Sequence, residues 1–544
     1  MYPESSRLVG MGKAGCALCA VLAVALLAFA WRSPMVFDDA YMFYRYAWNL
    51  RHGLGEAWNP GGAPTYGLTS QLWVLCVLPL AGLGAQTALQ LGSWLCGLLA
   101  LITTALAVTN HARWPPLRRL SLAFPAVALP LLTSTRFDLQ LTSGMDTMLS
   151  LLANAMLVLA VLGYSARPKD STATLAGAAG FLAVLARPDN LLCALGVPAL
   201  AWLLLTKPHR ITDLAGLVAL PAVLVAADLL FCHWYFDSAL PLSFYAKGAN
   251  LYAGLQNPEN ALAYFFDASS CVLLFLGVAA ASGVRGQARR LAVFLLPVAG
   301  VFLYLFSVRQ IMGFMGRYYV PFLPFLVAPV LLAADTALAG AAPRSSRRAA
   351  IAVAMPLVLF GITLPLQHLA SRIFLDSRMP APVPVPALLT REATPPPELP
   401  WSDQIRIMGD EVVRPLPAGV VFAASEVGYI GAISPRTSVI DLVGLNDTRI
   451  ALHGFSMRDL LARRPDLIWF PHPNYTGLRA KMFSDPELLL RYVVLPGAFT
   501  YGLAIRRDSS WRRQIEEQVR RAWTRHYPGL AFDDDVATGL GPSS

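Results

Sequence analysis

Residues 37–60 read FDDAYMFYRYAWNLRHGLGEAWNP and follow directly on the first long apolar run of the chain. Two adjacent aspartates, Asp38 and Asp39, open the stretch, and an aromatic run of helical character, AYMFYRYAWNL, comes after them. Carboxylates are costly beside a membrane segment, because hydrocarbon offers neither water nor counter-charge. Their position marks either a helix start or a functional site. An aspartate at a helix N-terminus accepts bonds from free amides and meets the positive end of the helix dipole. Adjacent side chains on a helix point about 100° apart, so the two cannot easily share one task. One can cap while the other faces a cavity, and a carboxylate beside a second one in a partly apolar pocket suits a base for an alcohol.

The rest of the chain supplies the membrane. Of 544 residues, 56% are hydrophobic and only 14% charged, where a soluble protein carries about a quarter charged. Eleven apolar runs are long enough to cross a bilayer: 13–32, 87–109, 120–135, 146–163, 172–186, 190–206, 213–234, 262–281, 291–307, 320–338 and 350–368. Lys and Arg concentrate in alternate loops, at 111–119, 165–170, 206–210, 284–290 and 343–348, which assigns these loops and the N-terminus to the cytoplasm. The apolar segment 69–84 would invert that parity if it crossed, so it is read as a juxtamembrane or re-entrant helix. The first run carries no small-residue cleavage signature and is read as a retained helix. The net charge of +10 then follows from topology, with no dense basic patch to suggest nucleic acid. The seven Cys lie in or beside apolar segments, so no disulfide framework is implied, and the Cys16–Cys19 spacing is read as membrane packing.

The expected fold is an α-helical polytopic membrane protein with about eleven transmembrane helices in residues 1–368, including a first outer loop at 33–86. A Pro-rich linker at 369–400 leads to a small periplasmic α/β domain at 401–544. Within that domain GVVFAAS, SVIDLVG and DLIWFPH read as buried strands, SMRDLLARR and PELLLRYVV as helices, and SSWRRQIEEQVRRAW as an amphipathic basic helix with a solvated face. Contact of that last helix with anionic membrane lipid is an alternative.

Parity collects the chemically interesting residues on the outer face. Arg45, Lys247 and Arg317 could hold an anionic substrate, against the alternative of snorkelling to headgroups. Arg187 could simply pair with Asp189, and Asp146 begins a span where capping is as good a reading as catalysis. The turn-rich loop GLGEAWNPGGAPTYGLTSQLW, with Asn59 and Tyr66, is a plausible sugar wall, because aromatic faces stack on sugar rings while Asn and Thr make directional bonds. Tyr245 precedes Lys247 by two residues in the segment PLSFYAK. His52 has no partner at metal-ligand spacing, and no HExxH, P-loop or glycine-rich dinucleotide motif is present, so neither ATP coupling nor a zinc site is supported.

Taken in order, DDAYMFYRYAWNLRHGLGEAWNP, YGLTSQLW, SGMDT, ARPDN, PLSFYAK, GRYYVPFLPFL and GYIGAIS with VIDLVGLND resemble the GT-C superfamily of polyprenyl-phosphate-sugar-dependent glycosyltransferases. The bacterial branch with arabinofuranosyltransferase-like and protein O-mannosyltransferase-like members is the most similar. The resemblance implies inverting transfer of a pentose or hexose from a polyprenyl-phosphate donor to a hydroxyl of a cell-envelope glycan, lipid or protein at the periplasmic face of a bacterial inner membrane. It implies Asp38 as general base and Asp39 orienting it or the acceptor; some relatives use a divalent metal, but the sequence has no second-loop DxD, so no obligatory metal is expected. Phosphate contact by Lys247 and Arg317, and a donor role for Arg45, Tyr245, Tyr66, His52 and Asn59, rest on charge and side. The alternative function is a transporter or flippase of lipid-linked sugar, which would place polar groups near the bilayer midplane in paired halves.

Overall fold

The computed structural model describes residues 4–32, 36–113, 115–132, 135–207, 209–248, 288–307, 316–339, 399–472, 475–495, 499 and 501–528. Five helices are long and apolar enough to cross a membrane: Ala85–His111, Thr147–Ala166, Pro188–Leu205, Ile211–Phe236 and Ala288–Leu305. Shorter apolar helices, Ala20–Arg32, Leu120–Leu132, Asp170–Ala186 and Val320–Ala333, fall on four further expected runs. The runs 262–281 and 350–368 lie outside the described residues, as does the linker up to 398. Segment 69–84 is a seven-residue helix, Gln71–Val77, that tightens into the 3-10 helix Leu78–Leu83 where Pro79 removes an amide donor. Ser70 caps it by accepting a bond from the Trp73 amide at 3.1 Å.

Without a hydrophobic drive between helices in lipid, close packing needs small residues. Gly177 and Gly216 meet backbone to backbone, and a Cβ on Gly177 would overlap the Gly216 carbonyl oxygen. Leu230, Phe231 and Trp234 on Ile211–Phe236 remain exposed, as befits a helix facing lipid.

The C-terminal part is a five-stranded sheet in the order β2-β1-β3-β5-β4. Strands β1 (Val421–Ala424), β2 (Ser438–Asp441) and β3 (Leu467–Trp469) are parallel, whereas β4 (Tyr492–Leu495) and β5 (Leu503–Arg506) add an antiparallel edge. The three expected strands are present. The helix expected over PELLLRYVV stops at Arg491, because Tyr492, Val493 and Val494 are strand formers that enter the sheet. Helix Arg512–His526 buries Ile515, Val519, Ala522 and Trp523 along one stripe, so its apolar face packs on this domain and its charged face is left to solvent.

Candidate active site

The acidic helix runs Asp38–Arg51, with both aspartates in its first turn and Phe37 as a cap residue that makes no side-chain bond. Neither aspartate caps its own helix by a side-chain bond. Asp38 instead caps a helix nearly four hundred residues away: its Oδ2 accepts the Gly428 amide at 2.9 Å and its Oδ1 the Tyr429 amide at 2.8 Å. These amides open the helix Gly428–Ile433, whose first-turn N–H groups need acceptors. Asp38 is only 8% exposed. Its carboxyl is pushed up to about 6, mainly by burial; the Tyr429 amide works against the rise, Asp39 adds to it, and the Gly428 amide again opposes it.

Asp39 is the freer of the pair. Its side chain is 36% exposed and its Oδ2 accepts a bond from Arg317 at 2.9 Å. Arg317 is buried and sits beside the Tyr318 ring, with its guanidinium carbon 5.2 Å from the ring centroid. Arg187 also lies over that ring, at 4.8 Å. Arg187 holds Asp189 bidentately, at 3.1 and 2.8 Å, and reaches Asp146 at 3.2 Å. Asp146 also accepts the Thr69 hydroxyl at 2.8 Å. The expected Arg187–Asp189 pair is thus present, but it is one part of a network running Asp39, Arg317, Tyr318, Arg187, Asp146. Asn190 steadies this corner by donating to Ser150 Oγ at 2.8 Å and to the Ala183 carbonyl at 2.7 Å.

Arg45 and Asn59 occupy a different place from the one expected. Arg45 is wholly buried and donates to the carbonyls of Trp58 at 2.7 Å, Gly431 at 2.8 Å and Thr437 at 2.8 Å, and to Asn59 Oδ1 at 3.1 Å. Asn59 pairs with Val439 both ways, at 2.9 and 2.8 Å, and the Trp58 indole donates to the same Val439 carbonyl at 3.0 Å. Tyr46 adds a bond to Asn446 at 3.1 Å. These side chains dock the C-terminal domain onto the acidic helix, and their polar groups are committed to neutral acceptors of the chain itself. The structure thus places Arg45 and Asn59 in contacts within the chain, where a donor contact and a sugar wall were expected.

His52 is exposed and stacked on Trp48 at 3.9 Å, with Nδ1 2.8 Å from the Trp48 carbonyl, at the far end of the helix from the aspartates. Tyr66 is buried against Phe236, its ring stacked at 4.9 Å, rather than presented as a wall. Tyr245 is half-buried on helix Leu242–Gly248, which packs against Thr448–His453 of the C-terminal domain. Lys247 lies on that helix too, but its side chain is outside the described residues.

Sequence reasoning missed Glu426. It follows β1, accepts the Ser425 hydroxyl at 3.2 Å and lies within the fields of Asp38 and Asp39. Its carboxyl is held well above the usual range, first by burial and then by those two charges. The only signal for it was its place at the end of a buried strand. Among the described residues no group of three or more His, Cys, Asp or Glu side chains is arranged to hold a metal.

A solved structure, ArnT from Cupriavidus metallidurans bound to undecaprenyl phosphate, superposes on this chain with a TM-score of 0.51 at 12% identity, over 89% of this chain and 97% of that one. The chain has a GT-C fold. With that fold and its apolar helices, it is a membrane protein. Residues 399–527 match a family described only as a domain of unknown function. The search of curated proteins finds no match.

Proposed function

We propose that the chain is a glycosyltransferase of the bacterial inner membrane. It moves a sugar from a polyprenyl-phosphate donor to a hydroxyl of a cell-envelope glycan, lipid or protein on the periplasmic side, with the N-terminus in the cytoplasm and the C-terminal domain periplasmic. The observation that carries this is the Asp39–Arg317 pair, a half-exposed carboxylate against a buried guanidinium, set at the end of the acidic helix of a GT-C fold. The undecaprenyl phosphate in the ArnT structure supports the choice of donor class.

In this reading the two aspartates exchange the roles implied by the resemblance. Asp38 has both oxygens bonded to backbone amides, so it positions the helix, and Asp39 is the base. A donor phosphate arriving beside Arg317 competes for its N–H groups and frees Asp39. The acceptor oxygen then attacks the anomeric carbon, its proton passes to Asp39, and the sugar–phosphate bond breaks with its electron pair on the phosphate. Negative charge grows there and Arg317 stabilises it more in the transition state than in the ground state. Attack opposite the leaving phosphate inverts the anomeric centre. Lys247 adds a second cation to the phosphate, and no metal is required. An arabinofuranosyl or mannosyl donor fits the branch of the resemblance.

The test is purified protein in detergent with undecaprenyl-phosphate-linked pentoses and hexoses. Asp39→Asn should lower turnover by about 10²-fold or more while leaving thermal stability unchanged, and wild-type turnover by that variant would end the proposal.

A further inference from the structure

The C-terminal sheet has a topological switch. The chain leaves β1 through the helix Gly428–Ile433 to reach β2 on one side, then returns across β1 to β3 on the other. In open α/β sheets the loops after two such strands part in opposite directions, and the crevice outside their carboxyl ends is where ligands bind. Here those loops carry Ser425 and Glu426 after β1, and Phe470 to His472 after β3. The two loops are tied together, because the His472 amide donates to Ser425 Oγ at 3.2 Å and that hydroxyl faces Glu426. The His472 ring meets Tyr501 edge-on at 5.1 Å, and Tyr501 stacks on Trp469, the last residue of β3. The Trp469 indole N–H is buried and has no hydrogen-bond partner among the described residues.

The crevice also has a definite direction. Gly428 and Tyr429, two and three residues beyond Glu426, bond Asp38, so the end of β1 is held against the first turn of the acidic helix. Glu426 is therefore carried close to the acidic pair, near enough for the charges of Asp38 and Asp39 both to act on its carboxyl.

We propose that this switch-point crevice is the acceptor subsite, taking an uncharged, hydroxyl-bearing sugar through Glu426, Ser425 and His472. The inference rests on the transferase reading and adds where the acceptor sits and what it is. Ser425 Oγ, which donates to Glu426 and accepts the His472 amide, keeps one lone pair for a sugar hydroxyl, and an imidazole and a protonated carboxyl each offer a donor and an acceptor. The raised carboxyl of Glu426 and the lowered imidazole of His472, whose pKa falls to about 4 through burial and Arg479, both favour neutral groups, so the subsite presents no counter-charge for an ionic ligand. An anionic sugar would in addition meet Asp39. The carboxyl of Glu426 is used here for binding, and proton removal stays with Asp39.

The experiment uses the full chain in detergent micelles and saturation-transfer NMR with methyl α-mannopyranoside, methyl α-arabinofuranoside and methyl β-glucuronide. The two neutral glycosides should bind the wild type and the glucuronide should not. Glu426→Ala and His472→Ala should weaken neutral glycoside binding by about tenfold each, the cost of one lost hydrogen bond in a buried site. Glu426→Gln keeps a donor and an acceptor and should retain binding, which a merely structural role would not predict. Undecaprenyl phosphate, followed by thermal shift, should stabilise wild type and Glu426→Ala equally and lose its effect in Arg317→Ala. Equal glycoside binding by wild type and Glu426→Ala, or no neutral glycoside binding at all, overturns the subsite. Loss of the undecaprenyl phosphate effect in the wild type with glycoside binding intact would overturn the transferase reading instead.

Discussion

Replacing Arg45 by Met should release the C-terminal domain from the acidic helix while leaving each part folded. Met has a similar volume and no donors, so the docked state would bury the Gly431 and Thr437 carbonyls, both on the C-terminal side, without their 2.8 Å partners. Each unpaired buried acceptor costs about 1–3 kcal/mol, giving roughly 2–6 kcal/mol for the two. Water meets the same carbonyls once the domain lifts away, so the penalty falls on the docked state alone. At about 3 kcal/mol the docking equilibrium moves by two orders of magnitude. Loss of the cation over Trp58, 4.5 Å from the ring, acts in the same direction. Hydrogen exchange read by mass spectrometry should show the Gly428 and Tyr429 amides exchanging about a hundredfold faster. Arg464→Ala is the control: its bond to Asp508 joins two exposed side chains within the domain, and such pairs contribute little. Unchanged exchange at 428 and 429 in a folded Arg45→Met protein would refute the assignment of Arg45 to docking.

Gly428→Ala should undock the domain as well, because the new methyl would overlap the Asp38 backbone carbonyl, and limited proteolysis near residue 399 should then accelerate. Stability should carry a pH dependence from His472, whose pKa falls from 6.5 to about 4 through burial and then Arg479. The folded chain holds the neutral ring, so this contribution is complete above pH 6.5 and is lost as pH falls towards 4, by up to roughly 3 kcal/mol. Thermal melts of wild type and His472→Gln between pH 7.5 and 4.5 should therefore converge on acidification, and parallel curves would contradict it.

Much of the architecture was legible because its causes are local. Apolar runs of membrane length specify helices whatever surrounds them, and GVVFAAS, SVIDLVG and DLIWFPH are continuous apolar runs of the kind buried parallel strands require. Strands β4 and β5 were hidden because their edge position depends on pairing with each other and with β3. Asp38 and Asp39 stood out by cost, but their division of labour was not written in residues 37–60. It depends on amides 390 and 391 positions away. Arg45 looked like a phosphate ligand for the same reason: a cation near an acidic pair has that meaning until its acceptors, such as Gly431 and Thr437, are known.

The bond between Asp38 and the Gly428 amide spans 390 residues of chain. During synthesis the residues of the acidic helix are made long before residue 428. Until then Asp38 lacks the Gly428 and Tyr429 amides, and Arg45 has the Trp58 carbonyl but not those of Gly431 and Thr437. A chain that has not yet reached residue 428 is thereby chemically different at this helix. The C-terminal domain, made after the helix, supplies those partners and brings Glu426 near the aspartates, so the environment of the acidic pair is set by residues translated long after it.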